Sequence, residues 1–168
     1  MTASRAPLPS RPSAEHADDV ERGLRHFAGH CICGNVRMAA RLLTAHYDAR
    51  LRPAGVEANQ MALLWVIHAS GSLPSNEVAH RAGIDQSTAS RNLAVLGSRG
   101  WVQVAEAAED RRRRMVSLTR AGRRALTRAY PLWQQAQAEA EAATADLANL
   151  GEIGRTLRKV TRRLQAAG

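Results

Sequence analysis

The stretch LPSNEVAHRAGIDQSTASRNLAVLGSR, residues 73–99, decides the reading of this chain. It parts at Ala82-Gly83-Ile84-Asp85 into two short helices. Ser75 can cap the first, over 76–82, and Asp85 the second, over 86–99, because a short oxygen-bearing side chain satisfies the free amides of a first turn. Gly83 follows the first helix and Gly100 ends the second. Val78 and Ala79 can pack on Ala89, Leu93 and Leu96, whose i, i+4, i+7 spacing makes one buried stripe. The opposite face then presents Gln86, Ser87, Ser90 and Arg91, compact or bidentate hydrogen-bonding groups near a helix N-terminus. That end is where a recognition helix meets base edges in a major groove, and the helix dipole also favours phosphate there. Ser75 and Thr88 join these as candidate DNA contacts. A helical hairpin with a merely solvated polar face would carry the same pattern.

The residues that follow favour DNA. Val102 and Val104 share one face of a predicted strand over 101–105, and Val116 and Leu118 one face of a second over 115–118. Between them, at or near the tip of a two-stranded ribbon, stand Asp110, Arg111, Arg112, Arg113 and Arg114. Adjacent guanidinium groups repel one another unless an anion neutralises them, and a minor groove or a phosphate row would do so. Asp110 would be repelled by phosphate, so its expected role is to orient Arg112.

Outward from this centre the chain reads as helix. Val36, Ala39, Ala40, Leu43 and Tyr47 recur at helical spacing over 33–51, and Pro53 with Gly55 ends that helix. A second helix over 58–69 places Met61, Leu64, Trp65 and His68 on one face. Thr119 can cap a long Ala- and Arg-rich helix that Pro131 would interrupt. A last helix over 151–164 aligns Ile153, Leu157, Val160 and Leu164 in an apolar stripe that needs a partner. The expected organisation is a flexible arm over 1–28, a dimerisation helix over 29–56, a winged helix-turn-helix domain over 57–120 and C-terminal dimerisation helices over 121–168.

The formal net charge is +9 over 168 residues, with Lys and Arg well in excess of Asp and Glu. Such a balance suits a polyanion, either nucleic acid or an anionic membrane. No apolar run is long enough to span a bilayer, and the N-terminus lacks the apolar stretch of a signal peptide. A cytoplasmic protein is therefore expected, with its two cysteines as reduced thiols. No membrane partner and no cofactor are expected.

The order of helices, the SNEVAHRAGIDQSTASRNLAVLGSRGWV stretch and the EDRRRRMVSLTRAG wing resemble the multiple-antibiotic-resistance regulator (MarR) family from about Cys31 to the C-terminus. Asp110-x-Arg112 in the wing and Leu118-Thr119-x-x-Gly122 after it are the most specific motifs. The resemblance implies a mainly α fold with a small β wing, a winged helix-turn-helix. It also implies a homodimer intertwined through its N- and C-terminal helices. Such a dimer binds a pseudo-palindromic operator in double-stranded DNA, usually as a repressor released by a signal. Two-fold symmetry would set two recognition helices into successive major grooves.

Three kinds of signal fit the remaining residues. In the organic-hydroperoxide-sensing branch that the chain partly resembles, Cys33 falls where the reactive cysteine lies, near the start of the first helix. Tyr47 falls on one of two tyrosines that bond that thiol, and Arg37 replaces the other. Arg37, one turn after Cys33, would favour the thiolate. Oxidation to sulfenic acid would then let Cys31, of the same subunit or the other, close a disulfide. Alternatively His26, His30, Cys31 and Cys33 offer nitrogen and sulfur ligands to a soft metal ion, although their spacing matches no standard zinc motif. A phenolic or carboxylate small molecule is the third, with Tyr47, Trp65, His68 and Arg41 as candidate liners. Cys33 as a small packed residue and Cys31 as incidental is the plain alternative.

Two other classes compete. A thiol peroxidase would use the paired cysteines, but no Ser/His/Asp order, glycine-rich phosphate loop or paired carboxylate stands out. An architectural DNA-coating protein would bind with little sequence preference and a steep salt slope. The constellation favours a sequence-specific regulator over an enzyme.

Overall fold

The computed structural model describes residues 19–24, 27, 30–106, 114–147 and 149–167. His26, Asp110, Arg111, Arg112, Arg113 and most of the 1–28 segment lie outside the described residues. The chain divides into two compact units, residues 1–41 and 42–168. In the first, residues 19–24 are helical, and helix α1 (Ile32–Leu51) begins there. The second holds a 3-10 turn (Arg52–Ala54), α2 (Ala58–Ser70), β1 (Ser72–Pro74), α3 (Ser75–Ala82) and α4 (Gln86–Ser98). Strands β2 (Val102–Glu106) and β3 (Arg114–Leu118) and helices α5 (Arg120–Ala143) and α6 (Leu150–Ala167) complete it.

Local chemistry sets these boundaries. Pro53 sits in the 3-10 turn, and Gly55 leaves it in the left-handed region. At the start of α2 the Glu57 amide donates to Gln60 Oε1 at 3.3 Å, and Asp48 takes the Ala58 amide at 2.6 Å. Gly83, at φ 66°, makes the sharp turn between α3 and α4 that a Cβ would strain. Leu63, Leu64 and Ile67 of α2 meet Val78 of α3, Ala89 and Leu96 of α4, Val102, Val116 and Leu118 of the sheet, and Leu126 and Ala129 of α5 in one core. The Ala89–Leu96 stripe is thus buried as its spacing predicts, with Leu93 partly buried beside it.

Three expectations are corrected. The ribbon is a three-stranded antiparallel sheet in the order β1-β3-β2, with Leu73 opposite Val116. A three-residue strand is too short to alternate, and Pro74 can sit only at an edge, so periodicity does not reveal it. Ser75 is the first residue of α3 and not its cap; Pro74 holds the cap position and makes no side-chain bond to the first turn. Pro131 does not interrupt α5, which runs unbroken for 24 residues. Buried Ala125, Leu126 and Ala129 before the proline and Ala136 and Ala140 after it hold the helix to its neighbours, and packing outweighs the one backbone bond lost.

Candidate nucleic-acid interface

Helix α4 carries the polar face that the sequence predicts. Gln86, Ser87, Ser90 and Arg91 are exposed, and Thr88 is half-buried. Their side chains are arranged in pairs along the helix. Gln86 Nε2 lies 3.5 Å from Ser90 Oγ, and Arg91 Nη2 donates to Thr88 Oγ1 at 3.3 Å. Asp85 caps the helix by accepting the Thr88 amide at 2.8 Å and also takes the Ser87 hydroxyl proton at 2.6 Å. These bonds from Ser87 and Thr88 hold the Asp85 carboxyl well below the usual carboxylate range. At this helix end, where the dipole is expected to favour phosphate, one first-turn amide, that of Thr88, is therefore already engaged by an anion within the chain. Ser75, also expected at the interface, is half-buried at the start of α3.

The described part of the wing ends at Glu106 and Arg114, which pair across β2 and β3 with Nη1 to Oε1 at 3.9 Å. Arg114 is exposed, as expected of a wing cation.

A clamp the motif reading did not explain fixes the base of the wing. Trp101 N donates to Leu96 O of α4 at 2.9 Å, and Thr119 N donates to Trp101 O at 3.0 Å. Thr119 Oγ1 donates to Gly100 O at 2.6 Å and accepts the Gly122 amide at 3.0 Å. A Cβ on Gly122 would overlap the Trp101 carbonyl oxygen. Thr119 and Gly122 therefore join the end of α4, the root of the wing and the first turn of α5. The Leu118-Thr119-x-x-Gly122 spacing was the available signal for it.

The far half of α5 is bonded to the second half of α1. His46 Nε2 lies 3.0 Å from Ala136 O, Arg50 Nε pairs with Glu139 at 2.7 Å, and the Tyr47 hydroxyl donates to Gln137 Oε1. Burial, and secondarily Glu141, raises the Tyr47 pKa. A cavity of about 480 Å³ opens beside it, lined by Tyr47, Ala58, Met61, Ala62, Trp65, Tyr130 and Trp133. Two expected liners, Tyr47 and Trp65, are there, while His68 and Arg41 are not among the lining residues. Tyr130 and Trp133, which the sequence reading missed, stack with centroids 5.9 Å apart.

In the N-terminal unit Cys33 is exposed and Cys31 half-buried, both as free thiols. Arg37 Nη2 lies 3.7 Å from Cys33 Sγ, the one-turn pairing that their spacing predicts. Among the described residues no group of three or more His, Cys, Asp or Glu side chains converges in a way that would hold a metal ion. His26, part of the suggested metal set, lies outside them. Among the described residues, no helix is long and apolar enough to cross a membrane.

The α3-turn-α4 unit, its sheet and its exposed polar helix face define a winged helix-turn-helix regulator of transcription. The profile of the MarR family matches residues 54–113. The solved structure of the transcriptional regulator MosR of M. tuberculosis in complex with DNA is 36% identical, with a TM-score of 0.71 over 82% of this chain and 98% of that one. A point mutant of MarR from E. coli complexed with operator DNA shares the fold at 21% identity, with a TM-score of 0.67 over 80% of this chain and 96% of that one. The HTH-type transcriptional regulator YwoH of Bacillus subtilis (strain 168) is 27% identical over 85 residues, which span 51% of this chain and 61% of YwoH. The chain belongs to the MarR family and is a DNA-binding regulator of transcription.

Proposed function

We propose that the chain is a homodimeric repressor of a pseudo-palindromic operator and that oxidation of Cys33 and Cys31 releases it from DNA. Gln86, Ser87, Thr88, Ser90 and Arg91 of α4 would read base edges in the major groove, with Ser75 at the start of α3 beside them. Arg111, Arg112, Arg113 and Arg114 would meet the backbone or minor groove, with Asp110 orienting Arg112. The dimer is supported by the apolar stripe of α6, where Ile153, Leu157 and Val160 are about 40% exposed and Leu164 is 69% exposed.

The observation that carries the redox reading is the Arg37 guanidinium 3.7 Å from an exposed Cys33 thiol. The guanidinium donates toward that sulfur, and the side chain is open to an oxidant from solvent. The Cys33 sulfur attacks the terminal oxygen of an organic hydroperoxide; the O–O bond breaks, the alcohol leaves with the thiol proton, and the sulfur becomes a sulfenic acid. A Cys31 thiol, of the same subunit or its partner, then displaces water from that sulfur and forms a disulfide. Two electrons pass from the thiols to the peroxide. The test is binding to the DNA upstream of the chain's own gene, first reduced, then with organic hydroperoxide, and again with Cys33→Ser. Release of the wild type but not the variant supports the reading. Retention of both contradicts it.

The aromatic cavity supports a second reading, in which a phenolic or carboxylate molecule between α1, α2 and α5 sets DNA affinity. Trp65 and Trp133 line it, so quenching of tryptophan fluorescence by an aromatic acid, accompanied by DNA release, would select this reading.

A further inference from the structure

Asp85 does more in this structure than cap a helix. The open N-terminus of a helix attracts phosphate through its free amides and dipole, whatever the DNA sequence. In α4 the Asp85 carboxylate already occupies the Thr88 amide at 2.8 Å. Among the described residues no cation is in ion-pair contact with it: Arg91, on the same helix, acts on it only through space and donates its hydrogen bond to Thr88 Oγ1. The carboxylate is thus a standing negative charge at the end of the helix that approaches DNA. It also consumes the Ser87 proton, at 2.6 Å, so the outward lone pairs of Ser87 can only accept.

We propose that Asp85 is a specificity-determining residue of the DNA interface: its carboxylate denies the helix N-terminus to phosphate and fixes Ser87 as an acceptor toward bases. In the major groove only cytosine N4 and adenine N6 offer amino donors. Ser87 therefore selects cytosine or adenine, while Arg91, one turn further, is a pure donor suited to guanine. A helix that cannot settle its N-terminus on the backbone loses affinity for arbitrary DNA and keeps it where the base edges match. This rests on the DNA-binding reading of α4.

The test compares wild type, Asp85→Asn and Ser87→Ala on two duplexes: the site wild type selects from a randomised library, and a scrambled duplex of equal length. Asn also caps helices, so the variant should fold, with a modestly lower melting temperature because the charge-assisted bonds from Ser87 and Thr88 become neutral ones, and Asp85→Ser provides a second uncharged cap. Asp85→Asn should tighten binding to the scrambled duplex by roughly threefold or more at low salt. Binding to the selected site should not tighten in step, so the ratio falls. Ser87→Ala, in its own library selection, should lose preference at one cytosine or adenine per half-site. An unchanged ratio, or a loss confined to the selected site, overturns the charge role. Relaxation at guanine or thymine, or at no position, overturns the acceptor role. If wild type selects no site at all, the DNA-reading function itself fails.

Discussion

The Cβ that Gly122 lacks would overlap the carbonyl oxygen of Trp101, so the first turn of α5 can lie against the root of the wing only with glycine there. That contact belongs to the clamp through which Thr119 holds Gly100 and Trp101, and it joins the recognition helix to the long helix α5. Gly122→Ala should lower stability by about 1–3 kcal/mol, the usual cost of overpacking against an unyielding group. Gly97→Ala is the control: nothing lies within 4 Å of its missing Cβ, and that change should be neutral or stabilise by up to about 1 kcal/mol. Thermal or urea unfolding reads both.

Thr119→Ala should cost about 1–2 kcal/mol, because it strips the α5 cap and leaves the Gly122 amide and Gly100 carbonyl without that partner. Thr119→Ser, which keeps the hydroxyl, should restore most of the loss. An equal loss in both variants would place the effect in packing of the methyl group.

Arg91→Ala should weaken binding to a selected site more than binding to random DNA, since a bidentate contact to guanine is worth about 1–3 kcal/mol of discrimination. Arg112→Ala should weaken both about equally and reduce the slope of log affinity against log salt by about 1. Equal loss across all sequences for Arg91→Ala would remove it from base readout.

Tyr47 gives a pH signature. Burial and Glu141 raise its pKa above the ordinary 10.0, so the folded state keeps the phenol proton after the unfolded chain has lost it. Its contribution is fully present below about pH 10 and is lost as pH rises through the higher folded value. The alkaline limb of a stability-against-pH curve should be shallower in Tyr47→Phe. That variant also loses the bond to Gln137 and should be less stable at neutral pH.

Most of the architecture was legible because its signals are local. Gly83 and Asp85 mark the turn and cap of the recognition helix, and the Ala89, Leu93 and Leu96 spacing marks its inner face. The rest depends on partners distant in sequence. β1 exists as a strand because Leu73 pairs with Val116, which three residues of sequence cannot announce. Pro131 breaks an isolated helix but not one held by buried alanines on both sides. Tyr130 and Trp133 become cavity walls only once α5 lies beside α2. In the interface, the identity of the polar face could be read, but the direction of its hydrogen bonds could not. That Ser87 gives its proton to Asp85 emerges only from the folded cap.

The most direct test of the account is selection of duplexes from a randomised library by the reduced full-length chain, followed by affinity measurement on the selected and scrambled sites at one salt concentration. The account predicts a palindrome with half-sites about one helical turn apart and a specificity ratio on the order of a thousand or more. Comparable affinity for both duplexes, with a steep salt dependence, would contradict it and identify a protein that coats DNA without reading it.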